Sequence, residues 1–219
     1  MAKDFRTWIR AGRMTDPAVD DRDVILFPEK VGGRYVLTHR PMTWVGEEYG
    51  TEHPAMWIST SDDVLCWGDS KLLAEAEFEW ESKKIGGNTP PVKTEHGWLT
   101  IYHAVGADAH YRLGAMLLDL DDPATVRYRT RDWLMQPEEE YEFEGYYRGC
   151  VFPCGKVVID GTLFVYYGAA DRHVGVAHLR TVGTHRLPAE LPGLTAARPA
   201  RRRSHVPAGM VRAPSLVSR

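Results

Sequence analysis

The chain reads as an all-β protein, an incomplete β-propeller of about three blades, and two observations predict it. The first is an internal repeat. Gly33, Gly97 and Gly161 stand 64 positions apart, and each opens a run rich in β-branched and aromatic residues: Gly33-Arg34-Tyr35-Val36-Leu37-Thr38-His39, Gly97-Trp98-Leu99-Thr100-Ile101-Tyr102-His103 and Gly161-Thr162-Leu163-Phe164-Val165-Tyr166-Tyr167. The second is the scarcity of long amphipathic helical patterns between the copies, which favours radial packing of antiparallel blades over a helical solenoid.

Each repeat unit is justified in the same order. A short proline-bearing segment comes first: Phe27-Pro28-Glu29-Lys30, Thr89-Pro90-Pro91-Val92-Lys93 and Phe152-Pro153-Cys154-Gly155-Lys156. The glycine then supplies a turn, and the run behind it has the composition of a strand entered through a hairpin. A further strand candidate follows: Met56 to Thr60, Tyr111 to Met116 and Val174 to Ala177. Each unit is therefore a meander. The helix-like stretches, around Lys71 to Ala76 and Glu138 to Tyr141, are short enough to be loops. Three blades are fewer than the roughly four to eight that close a ring, so the ring is expected to be open. The blades are assigned to residues 1–187. From Pro188 the chain is punctuated by Pro192, Pro199, Pro207 and Pro214, acidic residues stop after Glu190, and Arg198 and Arg201 to Arg203 make the remainder basic. Residues 188–219 are expected to be a Pro/Arg-rich disordered tail or the product of a shifted reading frame, rather than a binder of anionic surfaces.

Composition narrows the function classes. A hydrophobic content of 43%, a charged content of 26% and a net charge of -3 are those of an ordinary globular protein and give no electrostatic reason to expect nucleic acid. No apolar run approaches the roughly 18 residues of a membrane span, and Met1-Ala2-Lys3-Asp4-Phe5-Arg6 lacks the apolar centre of a signal peptide. The expected compartment is the cytoplasm, with no membrane partner. Cys66, Cys150 and Cys154 make an odd set without zinc-ribbon spacing, so neither a disulfide framework nor a metal is assigned.

Superposing the repeats on their glycines places His39, His103 and Tyr167 at one position, where they either share an axial pocket or each satisfy a neighbouring backbone group. Cations lie close by in sequence: Arg40 beside His39, Lys83 and Lys84 before the second copy, Arg112 after it. A guanidinium fork and an ammonium beside histidine suit an oxyanion, although strand-end cations are usually just solvated. Trp57, Trp98 and Tyr35 sit within strand patterns and read as packing residues. Asp171 follows the strand Tyr166-Tyr167-Gly168-Ala169-Ala170 in a small-residue loop, where its carboxylate either accepts from sugar hydroxyls or caps the turn.

Longer runs carry a resemblance. Asp23-Val24-Ile25-Leu26-Phe27-Pro28-Glu29-Lys30 with His39-Arg40-Pro41, Trp80 to Gly86, Pro90 to Glu95, Ile101-Tyr102-His103, Tyr111 to Gly114, Val151 to Gly155 and Tyr166 to Asp171 together resemble, in order from about Lys3 to Ala177, the β-mannoside phosphorylases of glycoside hydrolase family 130. The resemblance implies a five-bladed propeller with an axial site. It implies inverting phosphorolysis, in which inorganic phosphate, a co-substrate in place of any cofactor, attacks a β-mannoside to give α-mannose 1-phosphate. It assigns phosphate binding to Arg22, Arg40, Lys84 and His103, and sugar binding to Tyr111, Phe152 and Asp171. The family's catalytic aspartate, in an early Glu-Asp-Pro-Arg-like segment, has no match here; Asp16-Pro17-Ala18 departs from it, so the general acid is expected upstream and the chain is read as truncated, with little activity alone. A β-mannoside hydrolase of the same family, and a noncatalytic sugar-binding or assembly module, stand as alternatives. The expected partners are β-mannoside oligosaccharide and phosphate, with homo-oligomerisation left open.

Overall fold

The computed structural model describes residues 6–180 and 194–196. Three antiparallel sheets follow one another along the chain. The first is β1 (Asp21–Leu26), β2 (Tyr35–Pro41), β3 (Met56–Asp63) and β4 (Cys66–Ala74), paired in chain order. The second contains β5 (Lys84–Gly87), β6 (Val92–Thr94), β7 (Gly97–Val105), β8 (Tyr111–Leu118) and β9 (Val126–Thr130), with β5 and β6 sharing one edge of β7. The third is β10 (Val151–Ile159), β11 (Thr162–Ala169) and β12 (His173–Arg180). A last strand, β13 (Leu194–Ala196), pairs with β9. The repeat strands form where the glycine spacing predicts them.

Two of the turn glycines are needed where they stand. Asp160 and Gly161 both have positive φ, 49° and 72°, the conformation of a two-residue hairpin turn whose twist matches the flanking strands. Gly97, at φ 150°, leaves no room for a side chain because a Cβ would run into the Leu118 carbonyl.

β7 is buried along its whole length because a sheet packs on each of its faces. Trp98, Tyr102 and Ala104 meet the first sheet through Phe27, Met56, Ile58 and Leu73. Leu99 and Ile101 meet the third through Val151, Leu163 and Val165. Period-two alternation along one strand thus feeds two cores.

Two buried glutamates repeat one device. Glu81, in a short 3-10 turn (Glu79–Glu81), accepts the backbone N–H groups of Glu77 and Phe78 at 2.9 and 3.2 Å, the Tyr102 hydroxyl at 2.7 Å and Arg129 Nη2 at 2.8 Å. Glu142, in a second such turn (Glu140–Glu142), accepts the N–H groups of Glu138 and Glu139 at 2.6 and 2.9 Å and the Tyr167 hydroxyl at 2.7 Å. Each tyrosine ring lies over a glycine of the next strand, Gly114 or Gly175, where a Cβ would enter the ring.

That device corrects the superposition made from the glycines. Tyr167 is the counterpart of Tyr102, one residue before His103, and a slip of one residue turns a side chain to the other face. His39 likewise faces away from Arg40, with Nδ1 at 2.8 Å from Asp21 and Nε2 at 3.0 Å from the Ser59 hydroxyl. The three residues do not share a pocket. Two further expectations change. Lys71 to Ala74 of the helix-like stretch belong to β4, because Lys71, Leu72 and Ala74 pair with Ile58, Trp57 and Met56 and tertiary pairing overrides local propensity. The proline segment at Phe152 lies inside β10, where a bulge between Pro153 and Gly155 accommodates it.

No helix among the described residues is long and apolar enough to cross a membrane. Most of the segment 188–219 lies outside the described residues.

Candidate oxyanion site at the junction of the sheets

The site is organised around a carboxylate that the sequence reading did not single out. β1 carries a bulge between Arg22 and Ile25, and Asp23 within it has φ 53°. This conformation is uncommon for a non-glycine residue and turns the Asp23 side chain toward the second sheet. Arg40, the register partner of Arg22 on β2, donates from Nε and Nη2 to Asp23 Oδ2, each at 2.7 Å. His103 of β7 brings Nε2 to 3.6 Å from the same oxygen.

Gly86 of β5 makes the convergence possible. A Cβ there would overlap Asp23 Oδ2 and stand 2.7 Å from His103 Cε1 and 2.9 Å from Arg40 Nε. His103 is fully buried, and its Nδ1 lies 3.2 Å from Asn88 Oδ1. Burial, with the positive charges of Arg40 and Lys84, holds its pKa well below the usual histidine value, so the ring is neutral. Lys84 donates to the Tyr111 hydroxyl at 2.7 Å; desolvation and the Arg40 charge lower its pKa. Burial pushes the Tyr111 phenol up to about 12, keeping it a hydroxyl. Asp23 is raised by desolvation, against the opposing pull of Arg40 and Lys84.

Aromatic rings wall the site toward the third sheet. Phe152 of β10 packs with its ring tilted at 4.9 Å from His103 and edge-on at 6.0 Å from Tyr111, and Tyr147 meets Tyr111 edge-on at 5.2 Å. Asp171 follows β11 with φ 55°, after Ala170 at φ 50°; this turn is held by Ala170 N–H to Cys150 O at 2.9 Å and by Tyr147 N–H to Ala170 O at 3.2 Å. The Cys150 thiol lies 3.9 Å from Asp171 Oδ1, and burial pushes its pKa up to about 12.

Of the predicted residues, Arg40, Lys84, His103, Tyr111 and Phe152 are gathered together. Arg22 is not: its guanidinium grips Asp20 through Nε at 3.0 Å and Nη2 at 2.9 Å on the exposed side of β1. Asp171 is exposed and contacts Cys150 instead of the cations. Asp23, Gly86 and Asn88 are given no role by the sequence reading, although Asp23 and Gly86 stand within runs that carry the resemblance. No cluster suited to a metal ion occurs among the described residues.

Three buried polar atoms here have no hydrogen-bond partner among the described residues, Arg40 Nη1, Asn88 Nδ2 and His103 Nε2. Buried polar atoms are nearly always paired, and a guanidinium N–H beside a lysine suits an oxyanion.

An arginine, a lysine and a histidine brought together from two sheets of an all-β scaffold, walled by aromatics from a third, form a candidate oxyanion site. The chain belongs to glycoside hydrolase family 130: the family model described as beta-1,4-mannooligosaccharide phosphorylase matches residues 1–182. It is 42% identical over 179 residues to a 1,2-beta-oligomannan phosphorylase of Thermoanaerobacter sp. (strain X514), covering 81% of this chain and 56% of that protein. It is 38% identical over 171 residues to a beta-1,2-mannobiose phosphorylase of Listeria innocua, covering 77% of this chain and 46% of that protein. The fold matches the solved beta-1,2-mannobiose phosphorylase from Listeria innocua in complex with beta-1,2-mannobiose, with a TM-score of 0.73, 36% identity, and coverage of 82% of this chain and 49% of that one. The chain spans about half the length of these relatives.

Proposed function

We propose that these residues form the phosphate-holding part of an inverting β-mannoside phosphorylase, on about three blades of a five-bladed propeller. The observation that carries the reading is the pair of buried, unpartnered atoms, Arg40 Nη1 and His103 Nε2, beside Lys84. An inorganic phosphate seated there takes the Arg40 N–H and the Lys84 ammonium, with Arg22 swinging from Asp20 to close the rim. Tyr111, Phe152 and Asp171 then line the side on which a mannoside lies, the rings against its C–H face and the carboxylate on its hydroxyls.

The chemistry follows from that placement. A phosphate oxygen forms a bond to the anomeric carbon from one face while the glycosidic C–O bond breaks on the other, and the departing oxygen takes a proton from a general acid. The product is α-mannose 1-phosphate. Phosphate occupies the place of the second carboxylate of an inverting glycosidase, and fixed cations hold it near the carbon without neutralising it. The reading takes the general acid from outside these residues, and it places the protein in the cytoplasm with residues 188–219 as a tail without a role in the site. Calorimetric titration of the chain with inorganic phosphate tests the anion site: saturable binding that Arg40→Ala abolishes is expected, and no binding by the folded chain would reject it.

An assembly reading is favoured by a different observation. The outer face of the third sheet exposes Val157, Ile159, Tyr166, Val174 and Val176, the last three at 44%, 83% and 57%, an apolar strip of the kind blades bury against one another. Light scattering that finds only monomer at all concentrations would count against it.

A further inference from the structure

We propose that Asp23 makes the pocket selective for an oxyanion that still carries a proton, accepting a hydrogen bond from the P–OH of hydrogen phosphate, so that sulfate of equal charge and shape is disfavoured. This rests on the phosphate reading above. A carboxylate beside Arg40, Lys84 and His103 weakens the attraction for any anion, so its presence there calls for a task that a neutral residue would not perform.

The geometry gives its two oxygens different partners. Oδ2 receives both Arg40 bonds at 2.7 Å and faces His103 Nε2 at 3.6 Å. Oδ1 takes no hydrogen bond from the described residues and is not shut from solvent, the side chain keeping 11% exposure. The carboxylate cannot turn away, because the bulge conformation fixes its backbone and Gly86 closes against Oδ2. Oδ1 is thus a fixed acceptor on the open side. An ionised carboxylate only accepts. Hydrogen phosphate can offer it a proton, whereas sulfate can only set lone pairs against lone pairs, and sites built around one hydrogen bond reject analogues that lack it. The cations attract the two dianions alike, which isolates the hydrogen bond as the source of selectivity.

The test is calorimetric titration of the whole chain with inorganic phosphate and with inorganic sulfate at a pH of about 8, where phosphate is chiefly the dianion. Phosphate is expected to bind at least about tenfold more tightly than sulfate. In Asp23→Asn the amide oxygen takes the Arg40 donors and the NH2 faces the anion, so the preference is expected to shrink to within about twofold or to reverse. Equal binding of both anions by the unaltered chain would overturn the proposal while leaving the anion site standing, as would an unchanged preference in a folded Asp23→Asn. Binding of neither anion would remove the phosphate reading itself. A second pair needs no variant: arsenate, which carries a proton, is expected to follow phosphate, and selenate, which does not, to follow sulfate; selenate binding as tightly as arsenate would sink the idea.

Discussion

Gly86 and Asp23 occupy adjoining space so closely that no side chain fits between them: a Cβ on Gly86 would overlap Asp23 Oδ2. The first and second sheets meet at this point, and the arrangement of Arg40 and His103 depends on it.

Gly86→Ala is therefore expected to do more than crowd a core. It should destabilise the chain by about 1–3 kcal/mol and weaken phosphate binding at least about tenfold, because Asp23, Arg40 and His103 must separate. Denaturant melts and calorimetry on the same sample check both; unchanged phosphate affinity would show that the cluster is not the anion's seat.

Arg40→Met removes the guanidinium that grips the largely buried Asp23 carboxylate. Breaking such a pair leaves a charge uncompensated, and the expected cost is about 3 kcal/mol. Adding Asp23→Leu should recover most of the stability without restoring phosphate binding, since a neutral core can replace an ion pair but not a ligand. Urea denaturation of the single and double variants measures the difference.

The residues behind these two predictions differ in how visible they were. Arg40, Lys84 and His103 could be found as cations and imidazole near repeat strands, and the family resemblance assigned their roles. Asp23 could not, because its role comes from a bulge and a positive φ that turn it off the strand's expected face. Gly86 acts through space it leaves empty, which leaves no trace in composition. The strands themselves were legible from β-branched runs behind turn glycines. The register between repeats was not: Tyr102 and Tyr167 correspond through their glutamates and underlying glycines, and counting from Gly97 and Gly161 misses that match by one residue.

Cys150 and Cys154, four positions apart, should behave oppositely toward iodoacetamide. Thiolate is the reactive form, and burial pushes Cys150 up to about 12, whereas Cys66 and Cys154 are exposed. At a pH of about 8, mass spectrometry should find label on Cys66 and Cys154 in the folded chain, with Cys150 labelled only after denaturation.

Lys156 gives a pH-dependent prediction. Its Nζ is shut from solvent without a partner, and desolvation lowers its pKa to about 7. Below that pH the folded state must hold a buried charge. Between about 7 and the ordinary lysine value the unfolded chain binds the extra proton, so this group's contribution to stability rises as pH rises across that window. Lys156→Met is expected to raise the melting temperature at pH about 6 and to gain progressively less toward pH about 10. An equal gain at both pH values would mean the amine finds a partner.

Glu81 joins two backbone N–H groups, Tyr102 and Arg129. Glu81→Ala is expected to cost at least about 3 kcal/mol, the scale for orphaning a buried charge. Tyr102→Phe should cost only about 1 kcal/mol, because Arg129 still satisfies the carboxylate. Thermal melts of the two variants rank them, and a reversed order would contradict the network.

The cations that would hold the anion belong to the first two sheets, while Phe152 and Asp171 belong to the third. On the reading proposed above, a lineage could redraw the third sheet's turn, and with it part of the surface a sugar would meet, while the cations on the first two sheets stay in place.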